Sequence, residues 1–320
     1  MQLSKPVPSY GTTTVAQNPS QTPRNAYLFG QPIAHSLAPI FHNTIFGALN
    51  LAWRFHLFES LSFVDFLSVM HREDFIGAAI TIPHKATFLK EVDELTPHAK
   101  VIGAINTVFV RCDSEGRRRY VGTNTDCFGV RDAFIKNHPQ IAEKARGKPG
   151  LVLGSGGAAR SAVYALAECM GCSIVYLVNR DKGETETMIL QFRDVGLKAE
   201  VRHVTSVAQA AILEAPVVVV GAVPDTPPMT PEEREVREVV EAFLRNEEKG
   251  VLVDMCYSPE PWTELAKSAR EAGWEVVVGT EVMIFQGIVQ DMLWTERPVE
   301  EMPVQEVTKF IRDQVVRGRK

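Results

Sequence analysis

Gly150-Leu-Val-Leu-Gly154-Ser-Gly156-Gly157-Ala-Ala-Arg160 is the stretch that decides the fold. Three apolar residues read as a buried strand, the glycines force a tight turn, and a helix is expected from there to about residue 170. Glycines at such a turn let the backbone approach a pyrophosphate, and the following helix offers free N–H groups and a partial positive charge. Gly154, Ser155, Gly156, Gly157 and Ala158 are therefore candidate dinucleotide contacts. The spacing is Gly-x-Gly-Gly-Ala rather than Gly-x-Gly-x-x-Gly, so the strand before and the helix after carry the assignment. The plain alternative is a βα turn with no ligand.

Toward the C-terminus the alternation continues, with strands expected over 173–178, 198–204, 217–220, 250–255 and 275–278. Helices between all of these but the third and fourth, the last starting near Trp262, imply a doubly wound parallel sheet, a nucleotide domain over 130–280. In such sheets the end of the second strand meets the ribose 2′ position. Here that end is Asn179-Arg180-Asp181, with Glu184 close behind. Arg180 suits adenine or a phosphate, whereas Asp181 and Glu184 repel a phosphate, so NAD is favoured over NADP. The plain reading of Asp181 is a helix cap.

Upstream, strands are expected over 26–30, 53–58 and 75–82, with helices over 39–51 and 62–71. The third strand runs into Thr81-Ile-Pro83-His-Lys85, and proline cannot continue a ladder. Two short helices, Gly103-Ala-Ile-Asn106-Thr107, a polar hairpin-like turn over 112–119 and Asn124-Thr125-Asp126 follow. Lys85 and Asp126 each read as the start of a helix after a strand, which places both at one sheet end. A lysine there can move a proton, and a carboxylate beside it can orient it. Ser36, Thr81, Asn106, Thr125 and Gln286 offer uncharged hydrogen bonds to a polyhydroxylated ligand. Taken singly, Lys85 reads as a solvated surface lysine and each of the others as a cap or turn residue. Amphipathic helices over 281–294 and 304–316 are expected to fold back, so the first domain comprises 26–129 and 281–320.

Composition sets the frame. At 320 residues, 45% hydrophobic and 23% charged, the chain has room for two globular domains. A net charge of −5 provides no basic field for nucleic acid. No apolar run approaches the roughly 20 residues that span a bilayer. Residues 1–25, rich in Ser, Thr, Pro and Gln, read as a disordered leader without the order of a signal peptide. Five cysteines, an odd number, suggest reduced thiols and a cytoplasmic setting. Cys169-Met-Gly171-Cys172 has no second pair of ligands, so it reads as a helix end stopped at Gly171, and no metal is expected.

Together these segments resemble the shikimate/quinate dehydrogenase family from about residue 26 to 294, most closely a fungal branch. The matching pieces are Gly30-Gln-Pro-Ile-Ala-His35-Ser36-Leu-Ala38-Pro39 with His42-Asn43, then Thr81-Ile-Pro83-His-Lys85 and Gly103-Ala-Ile-Asn106-Thr107. Asn124-Thr125-Asp126, the glycine turn, Asn179-Arg180, Asp254 with Tyr257-Ser-Pro259, and Gln286-Gly287 complete the set. The resemblance implies an α/β substrate domain, a Rossmann domain and a cleft between them. It implies Lys85 and Asp126 as the catalytic pair, and Ser36, Thr81, Asn106, Tyr257 and Gln286 as substrate ligands. It adds Val223 and Gly279 to the cofactor contacts. The implied reaction is metal-free, NAD(P)-dependent hydride transfer at the C3 hydroxyl of quinate or shikimate, in a monomer or homodimer.

Four departures from the family pattern stand out: Ala38 for a second serine, Ala79 for an asparagine, Asp181 and Glu184 for Thr and Arg, and Gly221-Ala-Val223-Pro for Asn-Ala-Thr. These tilt the expectation toward a catabolic, NAD-preferring quinate enzyme. The alternatives are an NADP-dependent shikimate enzyme and a dehydrogenase-like binding protein without catalysis. Retention of both Lys85 and Asp126 speaks against the latter. A tetrahydrofolate dehydrogenase of similar plan is disfavoured by Asn124-Thr125-Asp126 and Gln286.

Overall fold

The computed structural model describes residues 22–317, so most of the expected leader lies outside the described residues. The chain forms two compact units, one running to Thr125 and resuming at Gln286, the other Asp126–Phe285.

The first unit is built from β1 (Arg24–Gly30), α1 (Ala38–Ala48), β2 (Trp53–Glu59), α2 (Phe63–Met70) and β3 (Phe75–Ile80). A short 3-10 helix, Phe88–Glu91, precedes β4 (Glu94–Leu95), α3 (Pro97–Ile102), β5 (Thr107–Cys112) and β6 (Arg118–Thr123). Strand β1 starts at Arg24, inside the expected leader, because Arg24 and Asn25 pair with Trp53 and Arg54. The strand order is β2-β1-β3-β5-β6-β4. Strand β3, Phe-Ile-Gly-Ala-Ala-Ile, is buried throughout, as a strand covered on both faces must be. The sheet is mixed: β5 runs antiparallel to both β3 and β6. The polar turn after Cys112 is too short for a crossover helix, and Asp113 closes it by accepting the N–H groups of Glu115 and Arg117, each at 2.9 Å. Both β3 and β6 therefore run the same way and end at the same edge, where β5 begins. Below that edge Phe29 stacks between Phe66 and His84, each at 4.3 Å.

The second unit opens with α4 (Asp126–Asn137), α5 (Ile141–Ala145), β7 (Pro149–Leu153) and α6 (Gly157–Tyr164). It continues through β8 (Ile174–Val178), α7 (Lys182–Asp194), β9 (Glu200–His203), α8 (Val207–Ile212) and β10 (Val218–Gly221). Helix α9 (Pro231–Leu244), β11 (Val251–Asp254), α10 (Glu264–Glu271) and β12 (Glu275–Val277) complete its layers. Helix α11 (Gly279–Thr295) carries the chain back to the first unit, which ends in α12 (Val304–Arg317). The order β12-β11-β10-β7-β8-β9 is parallel throughout, so the strand order reverses between β7 and β10. Ligands in such sheets bind beyond the carboxyl ends at that reversal. Helix α9 has no counterpart in the sequence reading, although Thr230-Pro-Glu-Glu233 is a capping box written in the chain.

Candidate active site

Asn106 occupies the gap between two strand ends of the first unit. Its N–H donates to Thr123 O at 3.1 Å, and its carbonyl accepts the N–H of Ile80 at 2.7 Å. The side chain, 3% exposed, is held at both ends. Its Oδ1 accepts from Thr125 N at 2.7 Å and Thr107 Oγ1 at 2.8 Å. Its Nδ2 donates to Thr125 Oγ1 at 2.9 Å and to Gln286 Oε1 at 3.0 Å. Thr125 Oγ1 donates to the same Gln286 oxygen at 2.9 Å. Asn106, Thr125 and Gln286 thus form one cluster of uncharged groups. Gln290, one turn beyond Gln286, supports it by donating to Thr107 Oγ1 at 2.8 Å. The sequence reading passed over Gln290; its four-residue spacing from Gln286 was the available signal.

Lys85 does not begin a helix, contrary to the sequence reading. It lies in a turn three residues before the 3-10 helix, half-buried. The neighbouring His84 ring turns inward onto Phe29 and meets Ser60 O at 3.1 Å. The Lys85 carbonyl accepts the N–H of Ile105 at 2.7 Å, which ties the turn to the residue before Asn106. Thr81 lies beside Gly30, where an added Cβ would come within 2.4 Å of its methyl group. Gln31 N donates to Ile82 O at 3.0 Å, binding the Ser36 loop to the same turn. Asp126, buried, is the first residue of α4 and follows Thr125 by one peptide bond.

Tyr257 and the nucleotide candidates belong to the second unit. Gly154 has φ +117°, and an added Cβ would sit 3.0 Å from Ala222 O and 3.1 Å from Val223 Cγ1. At Gly156 an added Cβ meets nothing within 4 Å. As the N-cap of α6, Gly156 brings no side chain to the first-turn N–H groups, and that turn carries no acidic residue. Open space and uncapped N–H groups in a first turn that holds no acidic residue fit a pyrophosphate. Asn179 Nδ2 donates to Ser155 Oγ at 2.7 Å, and Ser155 Oγ donates to the carboxylate of Glu184. Asp181 caps α7, accepting the N–H of Glu184 at 2.9 Å. Of the two carboxylates expected after the second strand, Glu184 reaches Ser155 in the glycine turn and Asp181 is the helix cap. The backbone packs closely at Gly279, where a Cβ would lie 2.6–2.7 Å from the carbonyls of Asp254, Met255 and Cys256. Tyr257 follows β11, half-buried.

A family model described as the shikimate dehydrogenase substrate binding domain matches residues 28–108. The chain is 37% identical over 313 residues to the quinate dehydrogenase of Emericella nidulans, across 92% of this chain and 95% of that protein. The chain belongs to the shikimate/quinate dehydrogenase family of oxidoreductases. Solved structures agree. The dehydroquinate dehydratase and shikimate dehydrogenase from S. pombe AroM superposes with TM-score 0.72 at 30% identity, covering 91% of this chain and 53% of that one. The shikimate 5-dehydrogenase of Listeria monocytogenes, in complex with shikimate and NAD, gives 0.73 at 26% identity, covering 90% and 96%.

Within the family, the departures now have surroundings. Ala38 opens α1, and its N–H donates to Ser36 Oγ at 3.2 Å. Ala79 is buried in β3 directly opposite Thr107, so it packs against the support of Asn106. The Cys169-Met-Gly171-Cys172 run ends a helix at Gly171, φ +74°. Burial pushes its thiols up to about 11 and about 12, which keeps both protonated. Among the described residues no cluster of three His, Cys, Asp or Glu is placed to hold a metal ion, and no helix is long and apolar enough to cross a membrane.

Proposed function

We propose that the chain is an NAD-preferring quinate dehydrogenase, with shikimate as its second substrate, oxidising the C3 hydroxyl to a ketone. The carrying observation is the Asn106–Thr125–Gln286 cluster at the edge where β3 and β6 end. Uncharged donors and acceptors in fixed orientation suit ring hydroxyls, which a charged pocket would serve less selectively. The first unit takes the substrate and the second the dinucleotide.

In this reading Ser36 and Thr81 receive the carboxylate and a hydroxyl, Asn106 and Gln286 hold ring hydroxyls, and Tyr257 lines the substrate. Lys85 takes the hydroxyl proton as the C3–O double bond forms and the C3 hydrogen leaves with its electron pair. Asp126 orients Lys85 and shares the proton's onward path. The nicotinamide, when bound, supplies the hydride acceptor. Gly154 to Ala158 hold its pyrophosphate, Asn179, Arg180 and Asp181 border the adenine ribose, and Val223 and Gly279 flank the nicotinamide side. NAD is preferred because Glu184, in the first turn of α7 after the end of β8, adds a carboxylate where one accepts from a free 2′-hydroxyl and repels a 2′-phosphate.

The protein acts in the cytoplasm, where five free thiols stay reduced, as a monomer or homodimer. Steady-state rates for quinate and shikimate, each with NAD and NADP at matched pH, test the proposal. Quinate with NAD gives the highest kcat/KM; a dominant shikimate–NADP rate makes it a biosynthetic shikimate dehydrogenase. Absence of reduced cofactor in all four combinations, with ligand still bound, removes the catalytic reading.

A further inference from the structure

We propose that Glu233 competes with a ribose 2′-phosphate for Arg180, and thereby sets the preference for the dinucleotide with a free 2′-hydroxyl. The inference rests on the nucleotide site described above. Arg180 follows Asn179, whose amide reaches Ser155 in the glycine turn, so Arg180 stands at the rim of that turn. Its guanidinium is paired with the carboxylate of Glu233.

Glu233 is not a loose partner. It is the third residue of α9 and half of a capping box. Its Oε2 accepts the N–H of Met229 at 2.7 Å and of Thr230 at 3.0 Å, while Oε1 takes Arg180. Those N–H groups and the guanidinium hold its carboxyl below the usual range, so it stays ionised. A 2′-phosphate seeking Arg180 must displace a carboxylate already fixed by backbone bonds. It must also settle near Asp181, locked as the α7 cap, and Glu184, locked on Ser155. One arginine then faces three carboxylates and a dianion. A free 2′-hydroxyl meets no such opposition, since it can donate to a carboxylate. The Arg180–Glu233 pair is solvent-exposed on the arginine side, so its effect lies in which ligand it opposes rather than in stability.

Calorimetric titration of the full chain with 5′-ADP and with 2′,5′-ADP provides the test without turnover. Glu233→Gln keeps a capping-box side chain while removing the charge. It is expected to tighten 2′,5′-ADP by about three- to tenfold while 5′-ADP changes less than about twofold. The double variant Glu233→Gln/Arg180→Gln is expected to lose that gain. Equal tightening of both ligands, no tightening, or a gain that survives loss of Arg180 overturns the role of Glu233. A wild-type chain that binds 2′,5′-ADP at least as tightly as 5′-ADP overturns the NAD preference itself, a distinct outcome. Thermal melts of each variant identify a folding failure, and Glu233→Ala, read against Glu233→Gln, then separates charge from capping.

Discussion

Gly154 and Gly156 sit two residues apart and answer to different constraints. Gly154 holds a left-handed φ against the Ala222 carbonyl, so Gly154→Ala strains the backbone and lowers Tm as well as nucleotide affinity. Gly156 has φ −72° and open space above it, so Gly156→Ala leaves Tm nearly unchanged. Its methyl group occupies the region assigned to the pyrophosphate, and NAD binding falls by tenfold or more, about 1.4 kcal/mol at the least. Equal binding by Gly156→Ala and wild type would remove the phosphate assignment. Lys85→Ala tests the other half of the site. Kcat falls by roughly 10²–10⁴ while KM for quinate changes little, as expected of a group acting in the transition state. A change confined to KM makes Lys85 a binding residue. At this scale the candidate residue types were legible, since Lys85, Asn106 and Gln286 are read directly from their motifs. Which carboxylate faces the glycine turn was not, because Asp181 and Glu184 differ only in how one helix start turns them.

At the scale of elements, α1 is fastened by side chains that reach across the fold. Asn43 accepts the N–H of Phe55 at 2.9 Å and donates to its carbonyl at 3.1 Å, tying α1 to the edge strand β2. His42 Nδ1 bonds Asp291 at 2.9 Å, with both side chains buried, and so joins α1 to α11. Asn43→Ala leaves both Phe55 groups without this partner and is expected to cost about 1–3 kcal/mol, measured by urea denaturation. A loss below about 0.5 kcal/mol would show that water replaces the amide without penalty. Strand and helix types were legible from period and punctuation. The mixed direction of the first sheet follows from one short turn. The early stop of β3 at Ile80 does not, since Thr81 and Ile82 are as β-compatible as the residues before them.

On the scale of the whole molecule, two titratable groups, one buried and one half-buried, give the units opposite responses to pH. Burial pushes Asp254 up to about 6, against hydrogen bonds from Thr263 at 2.5 Å and Cys256 N at 3.1 Å. The native state then binds the extra proton, so its contribution is present below about 4 and is lost as pH rises through about 6. Asp254→Asn is therefore expected to gain stability relative to wild type across that window, by roughly 3 kcal/mol at 1.36 kcal/mol per pKa unit. A pH-independent difference between the two melts would place the proton elsewhere. His98 has the reverse sign, because burial pushes it down to about 4 between Thr96 and Thr123. Its unfolded form binds the extra proton, so stability is lost as pH falls from about 6.5 toward 4. His98→Gln removes that loss, and the gap between its melt and wild type should narrow in acid. What the sequence by itself determined was the alternation of most strands and helices, the glycine turn and the family of reaction, because these depend on local period, backbone freedom and residue type. What only the tertiary structure decided was which polar groups meet: Asn106 with Thr125 and Gln286, Glu184 with Ser155, and Glu233 with Arg180. Those pairs lie up to 180 residues apart, and only the fold of the sheets brings such distant segments together.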